Sequence, residues 1–286
     1  MYRYLKLCLA VLFFTAGGVA ASAQDAPKRS ITKISGDLYR FQNNFHYSVF
    51  LVTADGVMVT DPINAGAARW LKAEIAKRFA KPIRYVIYSH DHRDHIAGGE
   101  VFAEDGALVV AHERAKAVII GEKRPTAVPQ ITFRRKLTLE LGGQVVELVH
   151  VGRNHSNNMI VMRFPKERVL FAVDFIPVKT VPYRNLSDSY LPEWIRSLRR
   201  VEFMDFDILA PGHGAMGTKA DVAAMRGYLT DLYKQVLAQA RMGKSLAETK
   251  AAVDLSQYKD WGQFQAWSPL NIEGAYRQVQ MHRRGN

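Results

Sequence analysis

Tyr88-Ser89-His90-Asp91-His92-Arg93-Asp94-His95 is the stretch on which the reading of this chain turns. It sets three histidines and an aspartate in the pattern H-x-H-x-D-H, at the end of the apolar run Arg84–Tyr88. At this chain's His and Asp content the pattern arises by accident in roughly one chain in two thousand, so it is specific enough to carry an argument. Functional groups in α/β proteins gather where strands end and loops begin. Imidazole and carboxylate at this density suit a borderline divalent metal, zinc above all. His90 and His92, two apart in an extended segment, can point to one side, and Asp94 and His95 follow as the chain turns. Four side chains cannot complete two coordination shells, so more ligands must lie downstream. His155 in Gly152-Arg153-Asn154-His155-Ser156, Asp174 in Leu170-Phe171-Ala172-Val173-Asp174 and His213 in Pro211-Gly212-His213-Gly214 are the candidates, each ending or following a strand-like run.

Outward from this cluster the chain alternates short apolar runs with helical patterns. Strands are expected at Tyr47–Val52, Val57–Asp61, Leu108–Ala111, Ile131–Leu139, Val145–Val151, Met159–Phe164, Val169–Val173 and Asp207–Ala210, besides Arg84–Tyr88. Leu71, Ile75 and Phe79 recur at helical spacing, and a second helix is expected over Pro192–Phe203. Thr218-x-x-Asp221 reads as a capping box for one long amphipathic helix ending near Gly243. The last forty residues read as helical, with Trp261, Phe264, Trp267 and Tyr276 packing on the core. Strands dominate both halves, each half closes with helices, and no linker divides them. The expectation is an α/β domain over residues 24–286, two sheets with helices on their outer faces and a helical extension from about residue 218.

The chain has 286 residues, 48% hydrophobic and 23% charged, which excludes a disordered chain. Its N-terminus has Arg3 and Lys6, the apolar run Leu7–Phe14, small residues and Ala21-Ser22-Ala23. That is the layout of a cleaved export signal over residues 1–23, with cleavage expected after Ala23, and the run is short for a span of about 20 residues. A periplasmic or secreted protein without a stable membrane anchor follows. Cys8, the only cysteine, would leave with the signal, so neither a disulfide scaffold nor a thiolate metal cage is available. The net charge of +12 suits an anionic substrate, and equally suits plain solubility.

The ordered set H-x-H-x-D-H, His155, Asp174, His213 resembles the metallo-β-lactamase superfamily of dinuclear hydrolases, from about Ile31 to Gly214. The resemblance implies a four-layer αβ/βα sandwich of two mixed β-sheets with outer helices. It implies two zinc ions per chain, with iron or manganese as alternatives. His90, His92 and His155 would bind the first ion, Asp94, His95 and His213 the second, and Asp174 would bridge both. Asp61 would support a ligand histidine through a hydrogen bond. A metal-bridging hydroxide would attack an ester, thioester, lactone or lactam carbonyl, with Asp94 and Asp174 aiming it and accepting its proton. The third motif departs from the family's Gly-His-Thr-Pro-Gly, since Arg153 and Asn154 precede His155. Arg153 is thereby placed at the mouth as an anion contact.

A bridging Asp174 resembles thioesterases and lactonases more than β-lactamases, which usually have Cys or Ser there, so β-lactam hydrolysis is the second reading. A di-iron redox protein and a non-catalytic metal-binding protein are readings of other classes. The partner expected is a small molecule, anionic if Lys179, Tyr183 and Arg184 of the 175–190 loop and Arg153 grip a carboxylate. Pocket walls are also expected from 121–129, and no nucleic-acid partner is expected. His150 competes with His155, but Ser156 and the spacing to Asp174 favour His155. His46 is read as a structural histidine, His112 as a cap near a helix start, and His282 as exposed.

Overall fold

The computed structural model describes residues 26–282. The proposed export signal lies outside them. In chain order the elements are β1 (Arg29–Ser35), β2 (Leu38–Asn43), β3 (His46–Val52), β4 (Val57–Thr60), α1 (Ala65–Phe79), β5 (Ile83–Ile87), α2 (Arg93–Ile96), α3 (Glu100–Ala103), β6 (Leu108–His112), α4 (Glu113–Gly121), β7 (Ile131–Phe133), β8 (Lys136–Leu141), β9 (Gln144–Val149), β10 (Val161–Phe164), β11 (Val169–Phe171), α5 (Leu191–Glu202), β12 (Ile208–Ala210), α6 (Lys219–Arg241), α7 (Leu246–Ala252) and α8 (Phe264–His282).

The strands form a seven-stranded sheet in the order β1 to β7 and a five-stranded sheet in the order β12-β11-β10-β9-β8. Both are mixed: β1 to β4 pair antiparallel and β4 to β7 parallel, while β11 and β12 form the parallel pair of the second sheet. Side-chain alternation along the strands builds the layers. Val57 and Val59 of β4 and Val86 of β5 face α1, α3 and α4 in one apolar cluster. Met58, Ile87 and Val110 point the other way, into a larger cluster with Leu148, Val161 and Leu170 of the second sheet. That cluster continues through the second sheet to Trp194 and Leu198 of α5, Met225 and Leu229 of α6 and Ala275 of α8. The result is the expected αβ/βα sandwich.

Two sequence expectations need correction. Ile131–Leu139 is not one strand: β7 closes the first sheet and β8 opens the second. Between them the Arg134 carbonyl sits 2.9 Å from His112 Nε2 and the Arg135 carbonyl accepts from the His150 backbone N–H, so the chain is peeled off one sheet and delivered to the other. The hairpin β1–β2 has no counterpart in the apolar-run reading, because β1 is largely polar and half-exposed. The capping box at Thr218 and Asp221 is formed and starts the 23-residue α6, buried along Val222, Met225, Leu229, Leu232 and Val236.

Parallel strands align their C-terminal ends, which places every loop with a candidate ligand at one edge of the sandwich. Asp61 follows β4, His90–His95 follow β5, Asp174 follows β11 and His213 follows β12. Two backbone hydrogen bonds of 2.8 Å cross between the sheets there, Ile160 N–H to Ser89 and Tyr47 N–H to Gly212. Gly212 itself is required by close approach, since a Cβ there would collide with Val173 Cγ1.

Candidate metal centre

The five candidate histidines and the two aspartates 94 and 174 converge with an organisation that Asp174 defines. Its Oδ2 lies 3.1 Å from His95 Nε2, 3.6 Å from His90 Nε2 and 3.7 Å from His155 Nε2, and its Oδ1 lies 3.1 Å from His213 Nε2. His90, His92, His155 and Asp174 form one group of donors within 4.8 Å of one another; His95, Asp174 and His213 form a second. Asp174 therefore belongs to both. Asp94 completes the rim, its Oδ2 3.5 Å from His95 Nε2.

On three of the rings the outer nitrogen is occupied, which fixes the direction of the inner one. His90 Nδ1 pairs with Ser89 Oγ at 2.9 Å, His213 Nδ1 donates to the Phe45 carbonyl at 2.9 Å, and His92 Nε2 donates to Asp188 Oδ2 at 2.8 Å. Trp194, fully buried and donating to the Phe175 carbonyl, backs the edge of the His155 ring. The inner atoms, by contrast, lack ordinary partners. His90 Nε2 and Asp174 Oδ1 are buried with no hydrogen bond of good geometry among the described residues. His155 Nε2 faces His92 Nδ1 at 3.2 Å and His213 Nε2 faces His95 Nε2 at 3.3 Å, and each such nitrogen pair can share at most one proton. Converging nitrogen and oxygen lone pairs with too few protons to satisfy them fit divalent cations.

The electrostatics divide the cluster. Burial drives the His90 imidazolium well below its ordinary range, helped by His92 and His95, and burial brings His155 down to about 4. Both rings are neutral at pH 7 and free to ligate. Burial also opposes charge on His95, but Asp174, Asp94 and Asp61 outweigh it and raise the ring to about 9. Burial opposes ionisation of Asp174, and His95 and His213 reverse this, holding the carboxylate well below its usual range. In the metal-free protein a proton thus stands in for positive charge beside Asp174, and metal uptake must release it.

The loops are fixed to one another by polar contacts. Asp91 is buried; its backbone N–H donates to Asn158 Oδ1, Asn158 Nδ2 donates back to its carboxylate at 2.6 Å, and Arg124 Nη2 adds a third contact at 3.1 Å. This ties the 90–95 loop to the 152–158 loop. Arg40, buried on β2, donates to the carbonyls of Pro211 and Gly214 at 3.2 and 2.7 Å and so brackets His213. Burial lowers its guanidinium to about 10, which leaves it charged at neutral pH. Replacing Arg40 with Met keeps the stem but orphans both carbonyls. The expected result is a loss of about 2–3 kcal/mol of stability in chemical unfolding, given that hydrogen bonds from charged donors contribute about 1.5–3 kcal/mol.

The other residues singled out from the sequence fall as follows. Asp61 is fully buried and accepts from the Ser89 N–H at 2.8 Å, but its Oδ2 is 3.7 Å from His95 Nδ1, an ion-pair distance and not the expected hydrogen bond. Arg153 lines a cavity of about 340 Å³ with His92, Arg124 and Asp188. Lys179, Tyr183 and Arg184 lie outside this cavity and outside the one of about 400 Å³ beside Asp94; Tyr183 packs on Trp267 of α8 and Arg184 covers Tyr183. The His150 ring lies tilted against that of His112 at 4.3 Å, away from the converging donors, and His112 caps α4. His282 lies against Tyr190.

Two residues escaped the sequence reading. Asp188 has no pattern that singles it out from its loop. His46, read as structural, has its Nε2 3.2 Å from Asp94 Oδ2 and groups with Asp94 and His213. The signal for it was topological: β3 runs antiparallel to β4, so the start of β3 lies at the edge where β4 and β5 end.

Residues 43–213 match the family model described as "Metallo-beta-lactamase superfamily", a stretch that contains all seven converging candidates. The chain belongs to the metallo-beta-lactamase superfamily. It is 28% identical over 192 residues to the 2,4-dinitroanisole O-demethylase subunit alpha of a Nocardioides strain, covering 65% of this chain and 58% of that one. It is 27% identical over 227 residues to a type 2 metallo-beta-lactamase of Elizabethkingia meningoseptica, covering 74% and 89%. The chain thus spans less than two thirds of the first relative's length and most of the second's. Among solved structures, a metallo-beta-lactamase from Pontibacter korlensis superposes with a TM-score of 0.65 at 20% identity, over 71% of this chain and 99% of that one, which establishes the shared superfamily fold.

Proposed function

We propose that this chain is an exported metallo-beta-lactamase-superfamily hydrolase that uses two divalent cations, zinc first, to cleave an ester, thioester or lactone. The observation that carries the reading is the Asp174 carboxylate shared by two groups of imidazoles. When bound, such a cation pair supplies an acidified water and a Lewis acid for the attacked carbonyl. The chain's own residues do the rest. His90, His92 and His155 would hold one ion, and Asp94, His95 and His213 the other. Burial disfavours an ionised Asp94, but the His46 contact and His95 outweigh it and keep the carboxylate below its usual range. Being ionised and half-exposed at the rim, Asp94 can take a hydrogen bond from the attacking water and orient it. Arg153, which lines the cavity on the His92 side, supports an anionic group on a small-molecule substrate.

β-Lactam hydrolysis is the second reading, supported by the Elizabethkingia relative's name and weighed against by the carboxylate at 174. Export rests on Arg3, Lys6, the Leu7–Phe14 run and Ala21-Ser22-Ala23. No helix of the described residues is long and apolar enough to cross a membrane. The test is a hydrolysis screen over lactams, lactones, thioesters, sulfate esters and phosphodiesters, with and without a chelator. The expected result is chelator-sensitive turnover of a carbonyl substrate; turnover that ignores the chelator, or none in metal-loaded protein, contradicts the reading.

A further inference from the structure

We propose that His46 is a fifth protein ligand on the Asp94 side of the centre, joining Asp94, His95, His213 and Asp174 around the second cation. This rests on the hydrolase reading above. His46 Nε2 and Asp94 Oδ2 are 3.2 Å apart, and His46, Asp94 and His213 offer donor atoms all within 4.8 Å of one another. Neighbouring ligands of one ion with bonds of about 2.0–2.2 Å stand roughly 3 Å apart, so this spacing accommodates a shared ion as well as the direct contact between the two side chains. The His46 ring meets the His213 ring edge-on at 4.6 Å and the His95 ring at 5.7 Å, so the three imidazoles surround one space instead of stacking.

The backbone explains why His46 is held there. Its two neighbours are fastened to the His213 loop: the Phe45 carbonyl accepts from His213 Nδ1, and the Tyr47 N–H donates to the Gly212 carbonyl. The tip of the β2–β3 hairpin therefore moves with His213, and the imidazole between these anchors stays on the cation side.

The chemical consequence concerns the metal. Tetrahedral zinc takes four ligands, whereas His46, Asp94 and His213 in one group and His95, Asp174 and His213 in the adjoining one, sharing His213, would offer five once drawn onto one ion. Five nitrogen and oxygen donors suit an ion that accepts five or six, such as Mn²⁺ or Fe²⁺. The second position should accordingly be more tolerant of Mn²⁺ than the first, which has three imidazoles and one carboxylate.

Metal-free protein, prepared by chelation, is titrated with Zn²⁺ and separately with Mn²⁺ by equilibrium dialysis with metal analysis. His46→Ala and His46→Gln are compared with the unaltered chain, with thermal melts of the metal-free proteins as the folding control. Glutamine can still donate an N–H to Asp94 but is a poor substitute for an imidazole ligand. The expected result is a second equivalent weakened at least tenfold in both variants, more for Mn²⁺ than for Zn²⁺, with the first equivalent unchanged. Wild-type affinity in His46→Gln would show that His46 only positions Asp94, and unchanged affinity in His46→Ala would remove it from the centre; either overturns the proposal while leaving the hydrolase reading intact. Fewer than two Zn²⁺ equivalents in the unaltered protein overturns both.

Discussion

On the proposed two-cation reading, replacing Asp174 with Asn should give a folded protein that loses at least one of two metal equivalents and more than about 100-fold of the chelator-sensitive hydrolysis. Asparagine has nearly the same shape, so the change removes the charge and turns one acceptor oxygen into an amide N–H donor. Among the described residues, this carboxylate is the group that touches both halves of the centre, with Oδ2 toward His90, His95 and His155 and Oδ1 toward His213. Groups that merely support a metal ligand typically cost about 10–100-fold when removed, so a shared ligand must cost more. The same change should lower His95 from about 9, since Asp174 is the largest of the charges that hold its proton against burial. Metal analysis, turnover and an imidazole titration by NMR on the metal-free variant together check this. Two retained equivalents with unchanged turnover would contradict it.

Gly274→Val should be among the most destabilising single changes in the chain although it lies far in sequence from every candidate ligand. A Cβ at 274 would collide with the Asn185 carbonyl oxygen and sit 2.7 Å from its carbon, and both are backbone atoms that cannot rotate away. The helix α8 is held against the 182–191 segment by its polar side chains. Asn271 Nδ2 donates to the carbonyls of Pro182 and Arg184, and Gln278 contacts the Leu186 carbonyl, Ser189 Oγ and the Leu191 N–H. That segment contains Arg184 and Leu186 at positive φ, conformations that L residues keep only when held from outside. It also carries Asp188, the partner of His92. Overpacking alone costs about 1–3 kcal/mol, and the separated hydrogen bonds raise the expected loss to about 3 kcal/mol or more. For a domain of this size that is a Tm lowered by about 6–12 °C. Calorimetry measures the first effect, and Zn²⁺ titration should show the first equivalent weakened through Asp188. A Tm within about 2 °C of the parent, well inside the shift expected for such a loss, would show that α8 does not brace this loop.

Much of this site was legible in the residues, and the reasons differ for what was not. The cluster at 90–95 declared itself because the ligands are close in sequence and of rare types. His155, Asp174 and His213 could be chosen because each ends a strand, and parallel strands share an end. The capping box at Thr218 is a local signature and formed as written. His46 was misread because its position depends on the antiparallel return of β3, a non-local fact. Asp188, Asn271, Gln278 and Gly274 were invisible for a related reason: their contacts link segments about ninety residues apart and follow no periodicity. The expected Asp61 hydrogen bond is absent at 3.7 Å, a distance that no residue pattern encodes.

The most direct test of the shared-carboxylate centre is anomalous diffraction at the zinc edge from crystals of Zn²⁺-loaded protein. The account predicts two peaks about 3.5–4 Å apart, one on each side of Asp174. A single peak, or ions bound away from Asp174, would contradict it.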